Sequence, residues 1–294
     1  MTNLDFLYVQ TNGIELHVAT AGPKEGELVI LLHGFPEFWF GWRKQIQPLA
    51  NAGYKVVVPD QRGYNKSQKP AGIRSYEINQ LQNDVIGLIN YFQRDHATII
   101  GHDWGGAVAW HLASTHPHKV RQLIVINIPH PGVFPKVMAT TPSQWLRSSY
   151  MLFFQFPKVP ESILSNNNFK IMKQAIQYSS RRGTFTQDDL AAYKTAWQKP
   201  KAITSMLNWY RAISISMLSV RKSFPINVPT KIIWGTGDHF LSKALAKESL
   251  KFIESGSGIW VEEATHWVHQ EQPELVNDQL IRFLNEPGSN GRTK

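Results

Sequence analysis

Gly101-His102-Asp103-Trp104-Gly105-Gly106 is the stretch on which the fold turns. An apolar β-like run, Ala97-Thr98-Ile99-Ile100, leads into it, and a helix-like run from Ala107 to Ala113 leaves it, so the local order is strand, tight turn, helix. Small residues at 101, 105 and 106 let the turn bend sharply and bring the helix close against the strand. The middle side chain then projects from the top of a sheet at a helix start, where free N–H groups and the helix dipole favour an anion. Turns of this shape usually carry serine there; Asp103 changes the reaction class. The plainer reading is a β-turn-α junction with Asp103 as its N-cap, and the six residues alone leave both open.

Composition limits what can surround this turn. The 294 residues leave room for about two domains, or for one large core carrying an insertion. A content of 42% hydrophobic and 12% aromatic residues supplies that core. The absence of cysteine excludes disulfides and thiolate metal sites. Met1 to Gln10 lacks the basic and apolar regions of a signal peptide, and no run approaches about 18 apolar residues, so a soluble, cytoplasmic chain without a membrane span is expected. The net charge of +9 comes from scattered Lys and Arg residues, which speaks against nucleic acid as a partner. No metal and no cofactor are expected, and monomer and homodimer both remain open.

The first half of the chain alternates strands and helices. Strands are expected at Phe6–Thr11, Glu15–Ala19, Leu28–Leu32, Lys55–Val58, Thr98–Ile100 and Leu123–Ile126, with a helix over Gln80–Phe92, which implies an α/β fold with a mostly parallel sheet. From about Gly132 to Ser219 the strand signal disappears and helical segments replace it. One opens on the capping-box pattern Thr186-Gln187-Asp188-Asp189, and another runs from about Ala202 through Ser214. Strands resume at Thr230–Trp234 and Gly258–Val261, before a last helix near Glu274–Leu284. The division expected is a core in two parts, 1–131 and 220–286, interrupted by an all-helical lid, 132–219, and followed by a Gly-, Ser- and charge-rich tail, 287–294, that reads as disordered.

Five segments now carry a resemblance: His33-Gly34-Phe35-Pro36-Glu37, Asp60-Gln61-Arg62-Gly63-Tyr64, the turn at Asp103, Trp234-Gly235-Thr236-Gly237-Asp238, and Ala264-Thr265-His266-Trp267. In this order and spacing the chain resembles the α/β-hydrolase fold enzymes of the epoxide hydrolase group over nearly its whole length. The resemblance implies an inserted helical cap, a catalytic triad and a covalent alkyl-enzyme intermediate.

The chemistry can also be argued from the residues. A carboxylate is a poor acylating nucleophile but a competent one at a saturated carbon bearing a leaving group, so Asp103 implies displacement and an alkyl ester that water must then hydrolyse. The second step needs a general base. His266 follows the last expected strand, in the position of the hydrolase histidine, and Asp238 closes the Thr230–Trp234 strand in the nucleophile, acid, histidine order. His269, Glu262 and Glu263 lie nearby, and a loop aspartate is often only a turn residue. The second place where related enzymes keep the acid, after the sixth strand, holds Asn127 here. Backbone N–H groups of Phe35 and Trp104 supply the expected oxyanion hole. For His33, Glu37 and His102, loop packing is the default reading.

The leaving group decides the substrate class. A halide leaves without a proton, whereas an epoxide oxygen leaves as a basic alkoxide and needs an acid, a role open to tyrosine. Tyr150 and Tyr210 stand where the resemblance puts paired lid tyrosines; as bare sequence they are equally ordinary amphipathic tyrosines. The resemblance thus implies hydrolysis of an apolar epoxide to a vicinal diol, with epoxide and water as its partners. Trp104 also occurs in haloalkane dehalogenases, which keeps that alternative alive, while a fluoroacetate dehalogenase would carry Arg there. A non-catalytic receptor for a small apolar ligand on this fold is the third reading, and a complete catalytic set speaks against it. Phe35, Trp39, Trp104, Phe153, Phe154, Trp209, Phe240 and Trp267 are expected to line the pocket, with Phe38 and Met206 on the same segments. Two departures from the family pattern are Phe156, where an acid is common, and Asn65, where Gly is common.

Overall fold

The computed structural model describes residues 4–133, 137, 142–219 and 225–286, with 142–143 and 214–219 as backbone only. The tail 287–294 lies outside the described residues. Eight strands form one sheet: β1 (Asp5–Thr11), β2 (Ile14–Ala21), β3 (Leu28–Leu32), β4 (Lys55–Pro59), β5 (Ala97–His102), β6 (Val120–Ile126), β7 (Thr230–Gly235) and β8 (Gly256–Val261). Their order is β1-β2-β4-β3-β5-β6-β7-β8. β2 runs antiparallel to β1 and β4, and every pair from β4 to β8 is parallel. The eight strands are those expected; their ends reach further, and β6 starts at Val120 rather than Leu123.

The period of two along each strand builds two cores at once. On β3, Leu28, Ile30 and Leu32 enter one core while Val29 and Leu31 enter the other; Ile99 and Ile100 on β5 divide the same way, as do Ile232 and Ile233 on β7. A strand buried on both faces must be apolar throughout, which is why 28–32 is an unbroken aliphatic run. The first core is covered by helices α2 (Ile78–Tyr91) and α3 (Trp104–Thr115). The second is covered by α1 (Arg43–Asn51) and by the helix Pro273–Leu284 near the end of the chain, through Ile46, Leu49, Val276, Leu280 and Phe283.

Between β6 and β7 the described chain is helical: α4 (Pro142–Ser148), α5 (Tyr150–Phe153), α6 (Val159–Ser179), α7 (Gln187–Trp197) and α8 (Ala202–Ser219). The capping box forms at α7, where the Thr186 side chain accepts from Asp189 N and the Asp189 carboxylate accepts from Thr186 N. Inside α6, Asn167, Asn168 and Phe169 have φ of 46°, 58° and 58°, which breaks it into two helical pieces. Aromatic side chains fasten these helices to the core, each burying its ring and satisfying its polar tip. Trp197 Nε1 donates to Pro36 O at 2.7 Å, Trp209 Nε1 to Arg62 O at 3.0 Å, and the Tyr193 hydroxyl to Glu37 Oε1 at 2.9 Å. Trp267 Nε1, from the core, donates to Ser179 Oγ at 2.9 Å.

The junction of β5 and α3 has no room for side chains at its glycines. A Cβ at Gly105 would lie 2.1 Å from Leu32 O, and one at Gly101 would lie 2.5 Å from Gly105 O. One at Gly106 would meet Ile128 Cγ2 at 2.2 Å. Asn65, at φ 37°, occupies a left-handed position that Asn tolerates, and its amide donates to Asp60 Oδ2 at 2.9 Å. Because the obstacle at Gly105 is backbone on the central strand β3, Gly105→Ala should destabilise the fold by about 3 kcal/mol through overpacking. Chemical denaturation of the purified variant would measure this; an unchanged midpoint would mean that the junction gives way easily.

Candidate active site

Loops at the carboxyl ends of parallel strands converge here, as they do in open α/β sheets generally. Asp103 follows β5, Asn127 follows β6, Asp238 follows β7 and His266 follows β8. Asp103 holds φ 48° and ψ −122°, a strained geometry for a residue with a side chain, and it remains 9% exposed in an otherwise buried turn. His266 Nδ1 bonds Asp238 Oδ2 at 2.8 Å, and its other nitrogen, Nε2, faces Asp103 Oδ2 at 3.8 Å. The three residues expected to act together are thus brought together.

Asp238 is itself held by several donors. Its Oδ1 accepts from Phe240 N at 2.7 Å and Leu241 N at 3.0 Å, and its Oδ2 accepts from Asn127 Nδ2 at 2.7 Å. Asn127 in turn accepts from Gly235 N at 2.9 Å. The residue at the alternative position is therefore a hydrogen-bond donor to Asp238, a contact the sequence reading did not assign. Burial alone would raise the Asp238 carboxyl, but the charge and hydrogen bond of His266 and the Asn127 amide outweigh it and hold it below its ordinary value. Burial likewise opposes a charged His266, yet Asp238 first, then Asp103 and Glu37, lift it from 6.5 to about 9.

The loop after β3 supplies one expected N–H. Phe35 N donates to Asp103 Oδ1 at 2.9 Å, an approach made possible by Gly34, where a Cβ would lie 2.5 Å from Asp103 Cβ. Trp104 opens α3, so its N–H is among those without a partner inside the helix. Its indole packs edge-on against Trp209 and Tyr210, at centroid distances of 5.7 and 5.0 Å.

Above Asp103 an apolar cleft of about 940 Å³, including its open mouth, lies between the lid and the core. Phe35, Phe153, Phe154, Phe240 and Trp267 line it as expected, together with Tyr150, Tyr210 and, from α6, Leu164, Met172 and Ile176. Trp39, Trp104 and Trp209 do not line it. Trp39 packs on Phe6 at 5.1 Å at the β1 side of the sheet, and its backbone N is tied to Asp60. Trp209 is 1% exposed, with its indole bonded to Arg62 O; the next residue on α8, Tyr210, is the one that faces the cleft. Phe38 and Met206 are buried outside the lining as well.

The two lid tyrosines meet at a ring centroid distance of 5.9 Å. Burial, then the Asp103 charge, pushes the Tyr150 phenol up; burial, then Tyr150 and Asp103, pushes Tyr210 well above the ordinary value. Both phenols keep their protons at any pH at which the protein would work. Arg211 braces them: it pairs with Glu161 at 2.7 Å and donates to Phe154 O and Phe156 O, pinning the turn after α5 to α8. Nothing in the sequence reading pointed to this brace.

Behind His266 lies a second, fully buried polar group. Glu37 Oε2 and His102 Nδ1 are 3.0 Å apart, and His102 Nε2 is 2.9 Å from the backbone oxygen of His266. A carbonyl oxygen only accepts, so His102 Nε2 carries a hydrogen, and its bond to Glu37 needs one further proton on Nδ1 or on the carboxyl. Burial would raise Glu37, but the hydrogen bond and charge of His102 hold it below the ordinary range. His269, the alternative base, packs between Trp42 and His102, and burial holds it neutral, well below its ordinary value. It does not line the cleft.

Comparison with known proteins follows the same lines. The model of the alpha/beta hydrolase fold family matches residues 27–273. The chain is 52% identical over 277 residues to the AB hydrolase superfamily protein YfhM of Bacillus subtilis, covering 94% of this chain and 96% of that protein. It is 36% identical over 287 residues to human epoxide hydrolase 4, covering 96% of this chain and 78% of the relative. Among solved structures, a point mutant of an epoxide hydrolase from Bacillus megaterium, complexed with its product, a naphthyloxy-propane-1,2-diol, superposes with a TM-score of 0.88. That match has 33% identity and covers 95% of this chain and 100% of the other.

The raised value of His266 makes stability depend on pH. A folded-state value of about 9 against 6.5 contributes stability that is complete below pH 6.5 and is lost as pH rises through 9. The shift corresponds to about 3 kcal/mol. Denaturation midpoints should therefore fall between these limits in the wild type and fall less in His266→Gln. Equal losses in both proteins would mean that the imidazolium is not what Asp238 and Asp103 hold.

Proposed function

We propose a reaction course for this chain, which belongs to the α/β-hydrolase fold family and, within it, to the epoxide hydrolases. Asp103 Oδ2, the oxygen not held by Phe35 N, attacks a ring carbon of an apolar epoxide; the carbon–oxygen bond of the ring breaks, and the departing oxygen takes a proton from Tyr150 or Tyr210. The product of this step is an alkyl ester on Asp103, with Oδ1 as its carbonyl oxygen facing Phe35 N.

The ester changes the base. Asp103 is one of the charges that raise His266, and alkylation removes it, so the imidazole value falls; His266 gives up its second proton, by way of solvent, to the phenolate left by the first step and can then take one from water. Water attacks the Asp103 carboxyl carbon, and the developing charge on Oδ1 is met by the N–H groups of Phe35 and Trp104. The bond to Oδ2 then breaks and the diol leaves with that oxygen. One proton of the water stays on His266 and the other neutralises the departing diol oxygen as Asp103 regains its carboxylate. Asp238, held by Asn127, orients the imidazole throughout.

The single observation that carries the epoxide reading is the pair of protonated phenols, Tyr150 and Tyr210, lining one apolar cleft with Asp103. It also bears against the dehalogenase alternative, since the Trp104 indole that would hold a halide packs edge-on against Trp209 and Tyr210 and does not line the cleft. The naphthyloxy diol bound by the Bacillus megaterium relative supports an epoxide with a bulky apolar substituent as the substrate.

Three measurements test this course. A single turnover with excess enzyme in heavy-oxygen water should leave the label in Asp103 and an unlabelled diol, because Oδ2 departs with the product. A labelled diol with unlabelled Asp103 would mean direct attack by water. His266→Gln should still be alkylated but hydrolyse its ester slowly, so the intact mass should rise by that of the epoxide; near wild-type turnover would move the base elsewhere. Tyr150→Phe/Tyr210→Phe should open epoxides at least about a hundredfold more slowly, and each single variant should keep partial activity. Bromoalkane turnover, where present at all, should be much less affected, and full epoxide activity in the double variant would remove the phenols from the mechanism.

A further inference from the structure

The mouth of the cleft opens through an unusual part of the surface. Leu152, Phe156, Val159, Ile163, Ile171 and Tyr178 are each between 39% and 79% exposed. Val159 and Ile163 are four residues apart on the first piece of α6, and Ile171 and Tyr178 are seven apart on its second piece, with Ala175 between them, so each pair lies along one helical stripe. Ile163, Ile171 and Ala175 also line the cleft, so its apolar lining is continuous with exposed apolar side chains. Isolated exposed apolar side chains are ordinary; a set continuous with a pocket marks an interaction site.

The charge of the same segment identifies the partner. Residues 142–182 contain six basic residues and one acid, Glu161; Arg147 is turned to Asp238 O and Arg181 to Glu263 O, so the positive charge of the face comes from Lys158, Lys170, Lys173 and Arg182. That acid is already paired with Arg211. Lys158 precedes Val159 and Lys170 precedes Ile171, and both lysines are exposed, so cations flank the apolar stripes. A second copy of the chain meeting this face symmetrically would set cation against cation. An anionic lipid surface satisfies both features: the acyl region takes the apolar side chains and the headgroup phosphates take the lysines. From these observations we propose that the lid face around the cleft mouth docks on anionic bilayers, with the mouth turned toward the lipid. Docking of this kind brings the cleft to substrates dissolved in the bilayer. It rests on the surface alone and holds or fails independently of the epoxide chemistry.

The test is co-sedimentation of the full chain with vesicles of phosphatidylcholine, with and without phosphatidylserine, at low and high salt. Binding is expected to require phosphatidylserine and to weaken as salt screens the lysines. Lys158→Glu/Lys170→Glu/Lys173→Glu should lower the partition coefficient at least about a hundredfold. Phe156→Ser/Val159→Ser should lower it as well, while the charge variant keeps wild-type turnover of a water-dissolved epoxide, since none of its three positions lines the cleft. The salt dependence of the wild type tests the proposal without relying on any variant. Equal binding to neutral and anionic vesicles, or none to either, would overturn it. So would a stable dimer that Phe156→Ser/Val159→Ser dissociates in solution without vesicles, because a second copy would then own this face.

Discussion

The backbone of Asp103, at φ 48° and ψ −122°, is the constraint on which the rest of the molecule depends. A side chain can be held there only if the strand before it and the helix after it approach more closely than Cβ atoms allow, and Gly101, Gly105 and Gly106 provide that approach. The loop after β3 must come equally close, which Gly34 permits, and this contact lets Phe35 N reach Asp103 Oδ1. The strain is sustained by the surrounding sheet, since β5 lies between β3 and β6 and all three are buried on both faces. One turn thereby sets the position of the Asp103 carboxylate, its hydrogen-bond donor and the start of α3.

Electrostatically, the site is a chain of buried groups that can each be charged only because a neighbour is. Asp238 is held anionic by His266 and Asn127, and His266 is held cationic by Asp238 and Asp103. An amide at position 127 suits this chain better than a second carboxylate would. Its Nδ2 donates to Asp238 while its Oδ1 takes the Gly235 N–H, so both ends are satisfied without adding a negative charge beside Asp238. Glu37 and His102 continue the arrangement behind the imidazole, and Tyr193 and Gly34 close it with further donors to Glu37. The loop of Glu37 is thus bound to the lid through Tyr193 and to the His266 loop through His102.

Much of this was legible in the sequence, for physical reasons that also mark where legibility ended. The central strands declared themselves because strands buried on both faces demand unbroken apolar runs, and the helices between β6 and β7 because their period interrupts that signal. That Asp103, Asp238 and His266 meet was readable because each follows a strand end, a place that topology alone fixes. The pocket was less readable. Trp209 and Tyr210 are adjacent, both aromatic and both buried, and only the rotation of α8 decides that Tyr210 faces the cleft while Trp209 faces Arg62. Asn127, Arg211 and the Glu37–His102 pair escaped for a different reason. Their partners lie 111, 50 and 65 residues away in the chain, so nothing local signals that they meet.

The lid joins the core by two unlike surfaces, and the difference bears on which of its parts can move. On one side, Tyr193, Trp197 and Trp209 each donate a buried hydrogen bond to the core, and parting them would leave acceptors unpaired in an apolar setting. On the other side, α5 and the first piece of α6 border the cleft through Phe153, Phe154, Ile163 and Leu164, which separate from the core without losing a hydrogen bond. The break at Asn166–Phe169 divides α6 within this second side. The anchored helices keep Tyr210 over Asp103, and displacing α5 or the first piece of α6 would break the bonds of Arg211 to Phe154, Phe156 and Glu161. Tyr150 sits at the boundary, on α5, and the Arg211 brace from α8 to the turn at Phe154 and Phe156 ties its segment to the anchored part. The two phenols are thereby held together beside Asp103.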